Sequence, residues 1–176
     1  MPHVLLSVFC TDQTGLVAAI TGRLFEIGAN LGDTSFAVLG AAAEFTAICK
    51  IPEHLDDHQL RDALSALPEL NGATVSVRSF GLDAQHGPSA QITHVVSVSG
   101  GDRPGLIARL SEVFTQFKAN IVRMDAQTMP EAHGDRYVTR FAVNIPTAST
   151  DTCMNTVANT AEELGLTCHW EDAEKS

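Results

Sequence analysis

Asp12-Gln13-Thr14-Gly15-Leu16 and, 90 residues further on, Asp102-Arg103-Pro104-Gly105-Leu106 are two versions of one turn, D-x-x-G-L. At the same shift Ser7-Val8 meets Ser97-Val98, Ala18 meets Ala108, and Ala29-Asn30 meets Ala119-Asn120. Conservative matches fill the gaps, with Val17 against Ile107, Ile20 against Leu110 and Leu31 against Ile121. Further along, Ile51-Pro52 matches Ile145-Pro146, so the register slips by four. The extra residues fall around Ala132-His133-Gly134-Asp135, where a hairpin loop tolerates an insertion. Self-similarity at a fixed period of this kind marks a duplication.

Each copy carries the same order of elements. Val4 to Phe9 and Ile92 to Val98 are β-branched and aliphatic runs that predict strands. Leu16, Ile20, Leu24 and Ile27, mirrored by Leu106, Leu110, Val113, Phe114 and Phe117, form apolar stripes at helical spacing. Two strands follow in each half, Leu31 to Leu39 with Glu44 to Ile51, and Ile121 to Thr128 with Arg136 to Ile145, each pair closed by a proline. A second helix is marked by Leu60, Ala63, Leu64 and Leu67, or by Met154, Val157, Ala158, Ala161 and Leu164. Last strands run near Ala73 to Phe80 and Leu166 to Trp170. The order βαββαβ is a split βαβ unit with both helices on one face of an antiparallel sheet. The expectation is an α+β chain of two tandem ferredoxin-like domains, 1–80 and 92–172, with a linker over 81–91 rich in small and turn residues and an acidic tail over 173–176. Leu5, Ser7 and Phe9, or Val95, Ser97 and Ser99, should point to the helix-free face, which would be half apolar and open to association.

Composition bounds the function. With 44% hydrophobic and 18% charged residues, the chain can pack a core and has too little charge for extended disorder. No apolar run approaches the roughly 18 residues of a membrane span, and Met1-Pro2-His3 lacks the basic start of a secretory signal. A cytoplasmic location away from membranes is expected. Cys10, Cys49, Cys153 and Cys168 stand singly, without C-x-x-C spacing, and read as buried reduced thiols. Eleven basic against 21 acidic residues give a formal charge of −10, which repels phosphate backbones, so direct DNA binding is not expected.

The repeated residues resemble the opening motif of ACT domains, in which a strand leads into D-x-x-G-L, an amphipathic helix, and A-N-[IL] at the next strand. Asp12 to Leu16 with Ala29-Asn30-Leu31 match it, and Asp102 to Leu106 with Ala119-Asn120-Ile121 match it more closely through their Arg-Pro. A two-copy chain of this length is similar to the glycine cleavage system transcriptional repressor family. The resemblance implies a cytoplasmic regulator that senses glycine, serine or a similar small amino acid, forms homo-oligomers and acts on transcription through a protein partner such as a transcription factor. It also implies that the ligand lies where neighbouring domains meet.

A zwitterion needs acceptors for its ammonium and donors for its carboxylate, both shielded from water. If the helices begin near Gly15 and Gly105, their first amides have no intrahelical partner and could hold a carboxylate. The candidate binding residues are Asp12, Gly15, Leu16 and Asn30 in the first copy and Asp102, Arg103, Gly105, Leu106 and Asn120 in the second. Plainer roles stand beside these: Asp12 and Asp102 as helix caps, the glycines as turn residues, and Asn30 and Asn120 as left-handed helix terminators. His54 and His58 have metal-ligand spacing, yet Asp56-Asp57 between them suggests a solvated face, so no metal is expected. Glu162-Glu163 and the acidic C-terminal run read as solvated surface. No Ser-His-Asp order, phosphate loop or metalloprotease motif is apparent, and no cofactor is expected. Two alternatives to the sensor remain: an ACT adaptor or regulatory subunit without a ligand, and an enzyme on the same scaffold.

Overall fold

In β1 (His3–Thr11) burial follows the pleat, with Val4, Leu6, Val8 and Cys10 turned inward and Leu5, Ser7 and Phe9 turned the other way. This strand anchors the first of two compact units, Met1–Ala84 and Gln85–Ser176. A computed structural model describes residues 1–131 and 135–173. The insertion read around residues 132–134 and the tail residues 174–176 lie outside the described residues.

The first unit continues with α1 (Leu16–Glu26), β2 (Asn30–Leu39), β3 (Ala42–Lys50), α2 (Asp57–Ser65) and β4 (Thr74–Ser79). The second repeats the order with β5 (His94–Gly100), α3 (Leu106–Gln116), β6 (Asn120–Met129), β7 (Arg136–Asn144), α4 (Thr150–Glu163) and β8 (Thr167–Asp172). The sheets run β2-β3-β1-β4 and β6-β7-β5-β8, and every pairing is antiparallel. Both units therefore have the ferredoxin-like α+β arrangement that the element order predicts.

In the first unit, Leu16, Ile20 and Leu24 of α1 and Leu60 and Leu64 of α2 bury against Val4, Leu6, Phe45 and Cys49 of the sheet. In the second, Leu110 and Phe114 of α3 and Val157 and Ala161 of α4 meet Val96, Val98, Phe141 and Val143. Phe114 and Phe141 stack at a tilt with ring centroids 5.5 Å apart. Each such side chain contributes about 1.5–3 kcal/mol through burial, so the two stripes suffice to fix helix to sheet. Among the described residues no helix is long and apolar enough to cross a membrane.

The helix-free faces differ. Leu5, Phe9, Ile48 and Leu39 share this face in the first unit, where Phe9 is 53% and Leu39 56% exposed. In the second unit, Val95, Ser97 and Ser99 also turn outward, but the neighbouring strands add Arg136, Arg140 and Asp125. Arg140 pairs with Asp125 at 3.6 Å, and Arg136 donates to the Ser99 hydroxyl at 2.7 Å. The half-apolar description thus fits the first unit, while the second presents a polar, ion-paired face.

Helices α1 and α3 end in the same way. The Gly28 amide donates to the Phe25 carbonyl and the Ala29 amide to that of Leu24, the two bonds of a Schellman cap. Lys118 and Ala119 repeat them onto Thr115 and Phe114. Both caps need a left-handed residue, supplied by Gly28 at φ 75° and by Lys118 at φ 57°. Asn30 and Asn120, read as possible terminators, instead open β2 and β6 two residues later. A side chain in this conformation costs about 1–2 kcal/mol, so Lys118→Gly should raise stability by about 1 kcal/mol in urea unfolding, with no gain from the reverse change at Gly28.

Candidate functional site

The D-x-x-G-L turn carries the chain from β1 to α1 in four residues, and Gly15 makes this possible at φ 95°, ψ −5°. Gly105 repeats the conformation at φ 81°, ψ 3° before α3. Both are the helix N-caps, and neither helix has a side-chain cap. Asp12 and Asp102 therefore do not cap. Asp12 is held by its backbone, whose amide donates to the Ala41 carbonyl at 3.0 Å across the β2–β3 hairpin, and its exposed carboxylate is left for other contacts.

Among the described residues no side chain caps the amides at the start of α1, and the turn at Thr14-Gly15 matches the one at Pro104-Gly105. A Cβ built on Gly15 would find no atom within 4 Å, so the ground in front of these amides is open. They line a shallow cavity of about 250 Å³ formed by residues 12–18 together with Phe36 of β2, ample for a small amino acid and its first waters. Uncapped amides and the positive end of the helix dipole favour an anion there, and the Asp12 carboxylate on the rim favours a cation. Phe36 lies outside the repeated motif, and Val17 and Ala18 belong to it only as repeat matches. The strand register alone gives the signal, because Phe36 lies opposite the buried Phe45 and so faces the helices.

Asn30 is not part of this cavity. It lines a separate one of about 140 Å³ with His3, Asp33 and Lys50, beside a bulge between Leu31 and Thr34. Gly15 precedes α1 and Asn30 follows it, and the 11-residue helix is about 16 Å long. One small amino acid cannot touch both within a single unit.

In the second unit several of the same groups are already occupied. The Leu106 amide donates to the Arg103 carbonyl at 3.1 Å. Asn120 donates its side-chain amide to the Ser89 carbonyl at 2.9 Å, and Asn144 does the same to Gln91 at 2.6 Å. Residues 89–91, read as the end of the linker, are thereby tied to β6 and β7. The guanidinium of Arg103 lies over Gly165, 3.8 Å from where a Cβ there would stand.

The family pattern of the ACT domain matches residues 2–78 and again residues 94–150. The chain belongs to the ACT domain family. Among curated relatives, a UPF0237 protein of Streptococcus mutans is 29% identical over 83 residues, covering 47% of this chain and 94% of the relative. A UPF0237 protein of Streptococcus pneumoniae is 27% identical over 75 residues, or 43% of this chain and 85% of that protein. Each therefore matches less than half of this chain with nearly its whole length. Among solved structures, an unknown protein of Galdieria sulphuraria covers 98% of both chains with a TM-score of 0.75 at 22% identity. A candidate glycine cleavage system transcriptional repressor covers 99% of this chain and 98% of its own with a TM-score of 0.66 at 14% identity. These likenesses establish a shared two-domain fold.

The remaining candidates for chemistry are quiet. His58 lies 3.1 Å from the Arg61 guanidinium, and among the described residues no three His, Cys, Asp or Glu side chains gather as a metal site would require. Asp56 caps α2, exchanging bonds with Gln59 in a capping box. Burial pushes the Cys49 thiol up to about 11 and raises Cys153 and Cys168. At Cys10 burial acts first and the Asp12 carboxylate second, both upward. Thiols that keep their protons at neutral pH are poor nucleophiles. Because Cys49 holds its proton more tightly folded than unfolded, the stability this contributes is complete below about pH 8.5 and is lost as the pH rises toward about 11. Urea midpoints should fall over that window, and Cys49→Ala should flatten the decline.

Proposed function

We propose that this ACT-domain chain is an amino-acid-responsive regulator that binds glycine, serine or a similarly small amino acid and signals through a protein partner without turnover. The observation that carries this reading is the start of α1, which has no side-chain cap and lies on a cavity rimmed by Asp12. The ligand carboxylate takes the amides of Gly15 and Leu16, and the ammonium takes the Asp12 carboxylate. Phe36 and Val17 limit the room for a side chain, which favours the smallest amino acids. Asn30, too distant within its own domain, closes the site from a neighbouring copy of the chain.

The second ACT domain keeps the motif residues Asp102, Arg103, Gly105, Leu106 and Asn120, and we assign it the weaker binding role. The Asn120 side-chain amide is already bonded inside the domain, so a ligand would have to displace that bond. This observation favours the adaptor reading for that half. A formal charge of −10 suits action on transcription through a DNA-binding partner, since the chain itself repels phosphate. The cytoplasm is where such a sensor would meet its effector and partner.

A thermal shift against the twenty amino acids tests the reading. A ligand that binds only the folded state, at 100 times its dissociation constant, adds about 2.7 kcal/mol. Glycine, serine or a close neighbour should raise the midpoint selectively. Gly15→Val should remove this increment and Gly105→Val should largely keep it, each compared with its own ligand-free midpoint. No shift with any amino acid at millimolar concentration would leave the adaptor reading in place of the sensor.

A further inference from the structure

The duplication provides an internal comparison for every surface position, and the two domains differ most tellingly at the end of the sheet where β2 and β6 begin. In the first domain His3, Lys50 and Asn30 stand in register across β1, β3 and β2. His3 alternates with the buried Val4, so this row lies on the helix-free side. All three line the cavity of about 140 Å³ beside the β2 bulge. The matching residues of the second domain are Thr93, Asn144 and Asn120.

In the second domain the chain itself occupies that row. The Asn120 side-chain amide donates to the Ser89 carbonyl at 2.9 Å, and that of Asn144 donates to the Gln91 carbonyl at 2.6 Å. The β6 bulge there carries Val122, where the first domain has Gly32. A Cβ on Gly32 would come within 3.2 Å of the Ile48 carbonyl oxygen, so a bare backbone at this position keeps the cavity wall thin. The donors also differ in charge. Two neutral amides receive two neutral carbonyls in the second domain. In the first, Asn30 is kept, Lys50 replaces one amide with an ammonium, and His3 replaces the Thr93 hydroxyl with an imidazole that has an N–H to donate in every protonation state. A cation in place of an amide calls for a charged acceptor, because a charge-assisted bond is roughly twice as strong as a neutral one.

We propose that this cavity is a binding site for a small aliphatic monocarboxylate, separate from the amino-acid cavity at the start of α1 and independent of it. The carboxylate stands where the Ser89 and Gln91 carbonyls stand in the second domain, with Lys50 and His3 as its donors and one of the two N–H groups of Asn30 beside them. Leu31, Ile48 and Ala84 form the rest of the wall and suit a short hydrocarbon chain. Asp33 also lines the cavity and repels a second negative charge, so the ligand carries one carboxylate rather than two. The cavity has the liquid volume of about five waters, room for a carboxylate with about two to four carbons. This site needs no ammonium on the ligand and draws on one copy of the chain alone.

Titration of the ¹⁵N-labelled full chain with sodium butyrate, at an ionic strength held constant with sodium chloride, tests it. Saturable shifts are expected at the Asn30 side-chain amide and at the backbone amides of Leu31 and Gly32, with Asn120 and Val122 unmoved. Butyramide, the neutral isostere, should give no saturable shift, and acetate should bind more weakly than butyrate because it leaves the apolar wall uncovered. Lys50→Gln should weaken butyrate binding by about tenfold or more, and Lys50→Arg should keep most of it. Lys50 is exposed, so neither change disturbs the core. Glycine, added separately, reports on residues 15–18, so failure of that site and failure of this one are read apart. Butyrate that leaves residues 30–32 unmoved, butyramide or acetate that binds as tightly as butyrate, or a Lys50→Gln variant with undiminished affinity would each overturn the proposal.

Discussion

The chain has four residues in which to turn from the end of β1 into the first turn of α1, and only a left-handed residue closes that corner. Gly15 at φ 95° and Gly105 at φ 81° supply it, and most of the functional geometry depends on their conformation. A residue with a capping side chain would have satisfied an amide at the helix start. Glycine leaves the amides without a side-chain cap, and without a Cβ it leaves the space before them empty. The same residue that lets the helix stripe of Leu16, Ile20 and Leu24 land on the sheet thus also opens the cavity at its end. Fold and candidate site share one constraint, so neither can change at that position without the other.

Duplication then allowed the two copies to differ. Their cores are interchangeable in plan, down to paired Schellman caps at Gly28 and Lys118. Their surfaces are not. The first ACT domain keeps an open cavity at the start of α1 and a half-apolar helix-free face. In the second, the linker end supplies the Ser89 carbonyl to Asn120, and Arg136 and Arg140 are engaged on the helix-free face.

Much of the fold was legible because it is written as periodicity. The 90-residue shift, the two-residue alternation from Val4 to Cys10 and the four-residue stripe from Leu16 to Leu24 each reflect a backbone repeat. The site was legible only in part. The motif singles out Asp12, Gly15 and Leu16, which line one cavity, but a sequence motif does not say that Asn30 lies a helix length away in another. Two local readings failed for identifiable reasons. Asp12 does not cap, since Gly15 already occupies the cap position three residues on. Asn30 does not terminate α1, since the Schellman cap needs its left-handed residue at Gly28. Phe36 could not be placed until the bulge between Leu31 and Thr34 fixed which face each β2 side chain takes.

The claim at the centre of this account is that the uncapped amides at the start of α1 receive an amino-acid carboxylate. Backbone amide resonances of the ¹⁵N-labelled chain, followed while glycine or serine is added, report on those groups one by one. The account predicts saturable shifts concentrated at Gly15, Leu16, Val17 and Ala18, with much smaller changes at Gly105 and Leu106. Resonances of residues 15–18 that stay fixed at saturating amino acid, or shifts confined to other parts of the chain, would contradict it.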